Sequence, residues 1–351
     1  MRIAQVAPLA ESVPPANYGG TERVVSWLTE ELVRRGHDVT LFASGDSRTS
    51  ARLVPCCRSA LRLDESCMDR QAWHLLMLEK VFQQAEQFDV IHVHLEYLHL
   101  PLARRCPVPT ATTFHGRLDI PDLVPLMQEF RDAPVVSISD SQRQPLPWMN
   151  WQATVYHGLP EDLLQFRPMP GDYLAFVGRI SPEKRPDRAI EIAKRAGMKL
   201  KIAAKIDDAD KEYFETKIKS LMDDPLIEYI GEVGESEKDE LLGSACAMLF
   251  PIDWPEPFGL VMIESMACGT PVVAWRCGSV PEVMHDGVTG FVVDSLEQSV
   301  AAVQRACKLD RARVRAEFEE RFSVRRMADD YLALYQSLIS GQKRWPLPAV
   351  A

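Results

Sequence analysis

The feature that most narrows the fold is an alternation of short apolar runs with amphipathic segments, met twice along the chain. Residues 2–7 read as a buried strand, followed by a loop rich in Pro and Gly from 8 to 20. Residues 21–35 then carry Val24, Val25, Leu28 and Leu32 at helical spacing, Gly36 closes that helix, and 37–43 form the next strand. A strand–loop–helix–strand unit of this kind belongs to a parallel sheet covered by helices. Further strands are expected at 89–94, 109–114, 134–139 and 153–156. Residues 58–87 are expected to be helical, with Trp73, Leu75, Leu76, Leu78, Val81 and Phe82 as their apolar set. The Pro- and Gly-rich stretch 166–172 is the linker candidate, and after it the alternation restarts. Strands are expected there at 173–177, 199–204, 227–230, 247–250 and 271–274, between helices at 186–196, 213–222, 238–245, 294–308 and 311–322. A last amphipathic helix, 324–339, shows Val324, Met327, Tyr331, Leu332, Tyr335 and Leu338 on one face, and 341–351 read as a loose tail. The length of 351 residues fits two such domains.

A formal net charge of -10 argues against a nucleic-acid groove as the main function, since phosphate backbones need clustered cations. The N-terminal residues read as a first strand rather than a signal peptide, and no uninterrupted apolar stretch has transmembrane length. The eight cysteines lack a metal-ligand spacing and fit reduced cytosolic thiols, so a cytoplasmic location is expected. His92 and His94 share one face of their strand, but no carboxylate or cysteine pattern completes a metal site around them.

The chemistry concentrates in residues 255–274. Pro255 and Pro257 bracket Glu256 and keep its backbone out of a helix. Gly259 then opens an apolar run from Leu260 to Cys268 that reads as a buried helix closed by Gly269. Glu256 thus faces a helix N-terminus from a loop, and Glu264 sits inside the helix. The N–H groups around Phe258, Gly259 and Leu260 point out of that end, where an anion binds well. Carboxylates accept hydrogen bonds from sugar hydroxyls, so the combination suits a polyhydroxylated, phosphorylated ligand.

The two glutamates of E-P-F-G-L-V-M-I-E and the continuation S-M-A-C-G-T-P-V-V-A resemble the signature of retaining glycosyltransferases of family 4. So do G-S-V-P-E-V from Gly278, D-G-V-T-G-F-V-V from Asp286, V-G-R-I-S-P-E-K from Val177, and Tyr18-Gly19-Gly20. The matches run in the family's order over almost the whole chain. This resemblance implies an α/β chain of GT-B fold: two Rossmann-like β/α/β domains facing a central cleft, with the C-terminal helix crossing back to the first. The expected division is an acceptor-side domain at 1–168, a nucleotide-sugar-binding domain at 169–325, and the returning helix and tail at 326–351.

The resemblance also implies the site. Arg179 and Lys184 would grip the donor diphosphate and stabilise the leaving group, one as a planar fork and one as a mobile point charge. Glu264 would hold ribose hydroxyls. Glu256, with the backbone of Phe258, Gly259 and Leu260, would hold the transferred sugar. The nucleobase would lie on the Gly231–Gly234 loop, at Gly231 and Val233. Gly19 and Gly20 would meet the diphosphate, and His115, at the end of a strand before Gly116, would face the sugar. The catalytic set implied is Glu256, His115, Arg179 and Lys184. Relatives often carry Asn-Gly where this chain has His157-Gly158. The family is generally metal-independent, and the sequence offers no clear D-x-D metal motif serving a diphosphate, so neither metal nor cofactor is expected. The expected partners are a nucleotide-sugar donor and a soluble small-molecule or saccharide acceptor rather than a lipid, because residues 58–87 mix charge signs. Two other readings stay open: a nucleotide-sugar epimerase or hydrolase of the same architecture, and a non-catalytic nucleotide-sugar-binding protein.

Overall fold

The structure, a computed structural model, describes residues 1–16 and 19–341. Tyr18 of the Tyr-Gly-Gly motif, and the tail beyond 341, lie outside the described residues. The chain divides into two compact units, one of residues 1–158 with 324–351 and the other of residues 159–323. Each is built on its own wholly parallel sheet with helices on its faces.

The first unit holds β1 (Arg2–Val6), β2 (Asp38–Ser44), β3 (Arg52–Cys57), β4 (Val90–Val93), β5 (Thr110–Thr113), β6 (Val135–Ser137) and β7 (Trp151–Thr154). Their order across the sheet is β3-β2-β1-β4-β5-β6-β7. The second unit repeats the plan with β8 (Tyr173–Arg179), β9 (Lys199–Lys205), β10 (Ile227–Gly231), β11 (Ala247–Phe250), β12 (Val272–Trp275) and β13 (Gly290–Val293), in the order β10-β9-β8-β11-β12-β13. In both sheets the strand order reverses beside the first strand, between β1 and β4 and between β8 and β11. Ligands of open parallel sheets bind beyond the carboxyl ends of the strands at such a reversal. The central strands are buried on both faces, which is why they read as continuous apolar runs. The expected GT-B-type pair of Rossmann-like domains is therefore present.

Several expected elements differ. The segment 58–87 is helical only at Arg70–Gln83 and Ala85–Gln87. Asp69 caps the longer helix by accepting from the N–H groups of Gln71 and Ala72. Met77, Leu78 and Val81 of that helix enter the core, whereas Trp73, Leu75 and Leu76 of the expected apolar set are 39%, 61% and 53% exposed. Strand β3 was hidden by Pro55, which cannot donate to a ladder. It is tolerated because β3 is an edge strand paired with β2 alone. The expected helix at 213–222 is a chain of short turns of differing pitch, Lys211–Tyr213, Phe214–Ile218 and Lys219–Asp223. The C-terminal helix, Val324–Gly341, belongs to the first unit and packs on the helix Gly20–Arg34. It buries Val324, Met327, Ala328, Tyr331, Leu334 and Tyr335. Cys246 and Cys307, read from sequence as reduced thiols, are joined as a disulfide, and the other six cysteines are free. Among the described residues no helix is long and apolar enough to cross a membrane.

The linker candidate 166–172 is tied into the second unit by Arg167, whose guanidinium reaches Asp239 and Ser244, and by Arg311. The Arg311 guanidinium, 5% exposed, donates to the carbonyls of Arg167 (2.6 Å), Ala245 (2.9 Å) and Gly243 (2.7 Å) and to Thr270 Oγ1 (2.6 Å). Gly243 and Ala245 lie at the C-terminal end of the helix Glu235–Gly243, where unsatisfied carbonyls and the negative end of the helix dipole favour a cation. Replacement by Ala would leave several buried carbonyls without a donor, each costing about 1–3 kcal/mol. Arg311→Ala is expected to lower the melting temperature by well over five degrees, whereas a Tm within a degree of native would show that water replaces the guanidinium without loss.

Candidate functional site

In the second unit the expected residues gather at the reversal point between β8 and β11. Arg179 is the last residue of β8, and Lys184 follows in the loop that leads to the helix Pro186–Ala196. Arg185, between that loop and the helix, has φ 53°, one of two non-glycine residues with positive φ among those described. Such a conformation costs of order 1–3 kcal/mol and concentrates at functional sites. The Lys184 ammonium is ion-paired with Glu256 Oε2, and the indole N–H of Trp254 donates to that same oxygen at 2.9 Å. Lys184 also stands 5.1 Å from the centre of the Trp254 ring, within range of a cation–π contact. Arg179 donates to Glu183 at 3.0 Å and to Asp207 at 3.4 Å. Both cations of the expected phosphate grip are thus engaged with carboxylates, contacts that an incoming dianion could replace.

The proline-bracketed loop is shaped from behind by Gly278 and Ser279. Ser279 N–H donates to the Glu256 carbonyl at 3.0 Å, and its hydroxyl donates to the Phe258 carbonyl at 2.7 Å. Gly278, at φ 55°, lies so close that an added Cβ would overlap the Glu256 backbone N and O. The chain then turns at Gly259, φ 81°, into the helix Leu260–Ala267. A side chain at Gly259 would meet Met262 Cε at 2.8 Å and Phe250 Cζ at 3.1 Å. Glycine is therefore required there by both conformation and space. The first N–H groups of a helix generally lack intrahelical acceptors and favour an anion; here Met262 N–H donates to the Gly259 carbonyl at 3.0 Å, which leaves the N–H groups before it as the candidate anion donors.

Glu264 lies one turn into the helix, 4% exposed, and accepts from the Lys238 ammonium. Lys238, the partner of the candidate Glu264, was not singled out from the sequence: in the acidic, polar segment 235–240 it looks like any solvated lysine. It comes from the helix Glu235–Gly243, which the Gly231–Gly234 loop introduces. Gly231 ends β10 with φ 78°, and Gly234 N–H is capped by the Glu237 carboxylate at 2.8 Å. Gly231 and Val233 are half-buried on this loop. Arg179, Lys184, Glu256, Phe258, Gly259, Leu260, Glu264, Gly231 and Val233 all therefore belong to the second unit.

The first unit holds Gly19, Gly20 and His115. Gly19 (φ 149°) precedes the helix Gly20–Arg34, and a Cβ there would press on Pro15 Cβ at 2.9 Å and Glu22 Oε2 at 3.0 Å. The buried Glu22 carboxyl is pushed above its usual range, chiefly by desolvation. His115 lies just beyond β5, with its ring stacked on His157 at 5.3 Å and its Nε2 2.8 Å from His94 Nδ1. His92 is hydrogen-bonded to Tyr335 and Thr113, and His94 to Gln5 and His115.

The comparisons bear on the family and the fold. Residues 165–322 match the family described as Glycosyl transferases group 1, and residues 18–155 match Glycosyltransferase Family 4. A D-inositol 3-phosphate glycosyltransferase of Mycolicibacterium smegmatis is 26% identical over 98% of this chain and 92% of its own. Among solved structures, sucrose-phosphate synthase from Thermosynechococcus elongatus superposes with a TM-score of 0.78 at 18% identity, over 97% of this chain and 100% of that one. Anabaena HepE in complex with UDP and glucose superposes with a TM-score of 0.72 at 17% identity, over 96% of this chain and 100% of that one. The family models make the chain a glycosyltransferase, and the solved structures show its fold to be GT-B. Within that class, the chain belongs to glycosyltransferase family 4.

Two outcomes are expected. Gly278→Ala should displace the Glu256 loop, lowering both Tm and, at temperatures where the variant is folded, kcat/KM at least tenfold; native kcat/KM in the folded variant would show that the loop tolerates the shift. The second concerns pH. His92, His94, His99 and His157 are all buried, and desolvation holds each imidazole pKa below its ordinary value, His99 down to about 3. The unfolded chain, with histidines near 6.5, therefore takes up protons first on acidification. The stability is complete above about pH 6.5 and is lost below it, at about 1.4 kcal/mol per histidine per pH unit. Tm should fall steeply between pH 6.5 and 5, and a flat profile there would contradict neutral, buried histidines.

Proposed function

We propose that the protein transfers a hexosyl group from a nucleoside-diphosphate sugar to an acceptor hydroxyl, with retention of anomeric configuration. The observation that carries this reading is the pairing of Arg179, at the end of β8, and Lys184, in the loop after it, with carboxylates, Lys184's partner Glu256 preceding the N-terminus of the helix Leu260–Ala267. Two cations and a helix N-terminus suit a diphosphate. The buried Glu264, held on one oxygen by Lys238, suits a pair of ribose hydroxyls. The solved Anabaena structure, which contains UDP and glucose, supports a donor of this class.

The roles follow from the chemistry of each group. A diphosphate entering the site competes with Glu183 and Asp207 for Arg179 and with Glu256 for Lys184. Glu256, relieved of its ammonium, accepts from hydroxyls of the transferred sugar. As the glycosidic C–O bond breaks, negative charge grows on the leaving diphosphate, and Arg179, Lys184 and the backbone N–H groups at Phe258, Gly259 and Leu260 stabilise it. No metal step is included, since these groups can meet that charge. Gly231 and Val233 are assigned to the nucleobase. In the first unit, the Gly19–Gly20 turn is assigned to phosphate and His115 to a sugar hydroxyl. The departing phosphate takes the acceptor proton and Glu256 forms no covalent bond, so attack occurs on the face the diphosphate leaves. A soluble, polyhydroxylated acceptor is proposed; the Mycolicibacterium relative is named for D-inositol 3-phosphate.

The test begins with UDP-, GDP- and ADP-sugars, read as nucleotide release with and without polyol acceptors. Release without any transfer would favour a hydrolase. With the donor so found, Arg179→Ala and Lys184→Ala should each lose roughly 2–4 kcal/mol of transition-state stabilisation at near-native Tm. Glu256→Gln should keep measurable transfer to the same anomer. A glycosyl adduct trapped on Glu256, with total loss of turnover in the Gln variant, would replace this mechanism by double displacement.

A further inference from the structure

His115 ends a buried hydrogen-bond chain that the transfer chemistry above does not use. Gln5 Nε2 donates to Tyr335 Oη at 3.2 Å, and Gln5 Oε1 faces His94 Nε2 at 2.9 Å. His94 Nδ1 in turn faces His115 Nε2 at 2.8 Å. Desolvation holds both imidazoles neutral, with His115 down to about 3. A neutral imidazole has one N–H and one lone pair, so the direction of the chain can be worked out.

Because Gln5 Oε1 only accepts, His94 carries its hydrogen on Nε2. Its Nδ1 is then a lone pair, and His115 must donate to it from Nε2. His115 Nδ1 is left as a lone pair, and this atom is buried without a hydrogen-bond partner. The other branch runs consistently. Tyr335, accepting from Gln5, donates to His92 Nδ1 at 2.6 Å; His92 Nε2–H donates to Thr113 Oγ1 at 2.7 Å; the Thr113 hydroxyl donates to Tyr331 Oη at 3.0 Å. Turning the Gln5 amide over would reverse every bond and leave a buried N–H on His115 Nδ1 instead. An orphaned buried N–H is the rarer and costlier defect, so the first direction prevails.

The backbone of the same residue is held separately. Glu96 Oε1 accepts from the N–H groups of His115 and Gly116, both at 3.0 Å. Glu96 itself has φ 52° and is the second of the two non-glycine residues with positive φ among those described. Both strained residues thus stand against candidate site residues, Arg185 next to Lys184 and Glu96 under His115.

We infer that Gln5 and His94 are positioning residues that lock His115 in its Nε2–H tautomer, so that Nδ1 offers a lone pair to a hydroxyl of the transferred sugar. This rests on the role proposed for His115. Neither Gln5 nor His94 need touch the ligand: each is buried, and its effect passes through the ring of His115.

The experiment has two arms. In the full chain labelled with ¹⁵N-histidine, the His115 ring, assigned by its loss in His115→Asn, should show the Nε2–H tautomer. A Nδ1–H tautomer would overturn the inference, and this arm needs no variant of Gln5. In the second arm, UDP release from UDP-glucose, or the analogous release from the donor found above, is compared across variants. Gln5→Leu removes the acceptor and should lower kcat/KM roughly tenfold, the scale of one hydrogen bond. The Kd for the nucleoside diphosphate alone should not change, because His115 is assigned to the sugar. Gln5→Glu keeps an acceptor for His94 and should recover most of the loss. Equal loss in both variants, or native kcat/KM in Gln5→Leu, would overturn the positioning role. Native kcat/KM in His115→Ala would instead sink the assignment of His115 on which it rests.

Discussion

Parallel strands can be joined only by crossovers that return the chain to the starting edge, so every strand of a sheet ends on the same side. That constraint decides where chemistry can be placed in this chain. Each unit has one reversal of strand order, beside β1 or β8, and the crossovers on either side of it diverge to opposite faces. The crevice this leaves is where the end of β8 and the loop after it bring Arg179 and Lys184, and where the loop after β11 brings Glu256. In the first unit the corresponding place, beyond the ends of β1 and β4, is next to His94 and Glu96.

Charge is arranged to match. The helix Leu260–Ala267 directs its N-terminus to the candidate site, and the helix Glu235–Gly243 turns its carbonyl end to Arg311. A buried guanidinium is costly unless it is fully hydrogen-bonded, and Arg311 meets that condition by gathering carbonyls from segments far apart in sequence. Each site cation, by contrast, is paired with a carboxylate in a form that ligand oxygens can imitate. Lys184–Glu256 and Lys238–Glu264 keep four charged groups neutralised in pairs and oriented before any substrate binds. Preorganisation of this kind lowers the reorganisation required at the moment of reaction.

The buried histidines of the first unit follow a different rule. Burial holds their pKa values below the ordinary one, and His92, His94 and His99 are hydrogen-bonded to hydroxyls, an amide or another imidazole. A polar network in a low-dielectric interior is stable when its donors and acceptors all run in one sense, and then it specifies the protonation of each member. The C-terminal helix contributes Tyr331 and Tyr335 to that network, which gives its packing on the first unit a consequence beyond burial of apolar surface.

Much of this was legible in the sequence. Local pattern determined the parallel α/β class, the two-fold repetition of the β/α plan, the helix from Gly259 to its C-cap, and the placing of Glu256 and Glu264 about its start, whereas Arg179, Lys184 and His115 became candidates through the family resemblance. Those signals reside in consecutive residues, in which periodicity, proline and glycine speak directly about the backbone. Tertiary structure alone decided the rest. Strand β3 exists because an edge can accommodate Pro55, and Trp73, Leu75 and Leu76 stay outside because their half of the helix meets no core. Lys238 acquires meaning only from Glu264 on a neighbouring helix, and Gly278 only from the Glu256 backbone it touches. Gln5, Glu96 and Tyr335 join His115 across separate elements. The strength of a contact between distant residues depends on burial and geometry, and neither is written in the spacing of one segment.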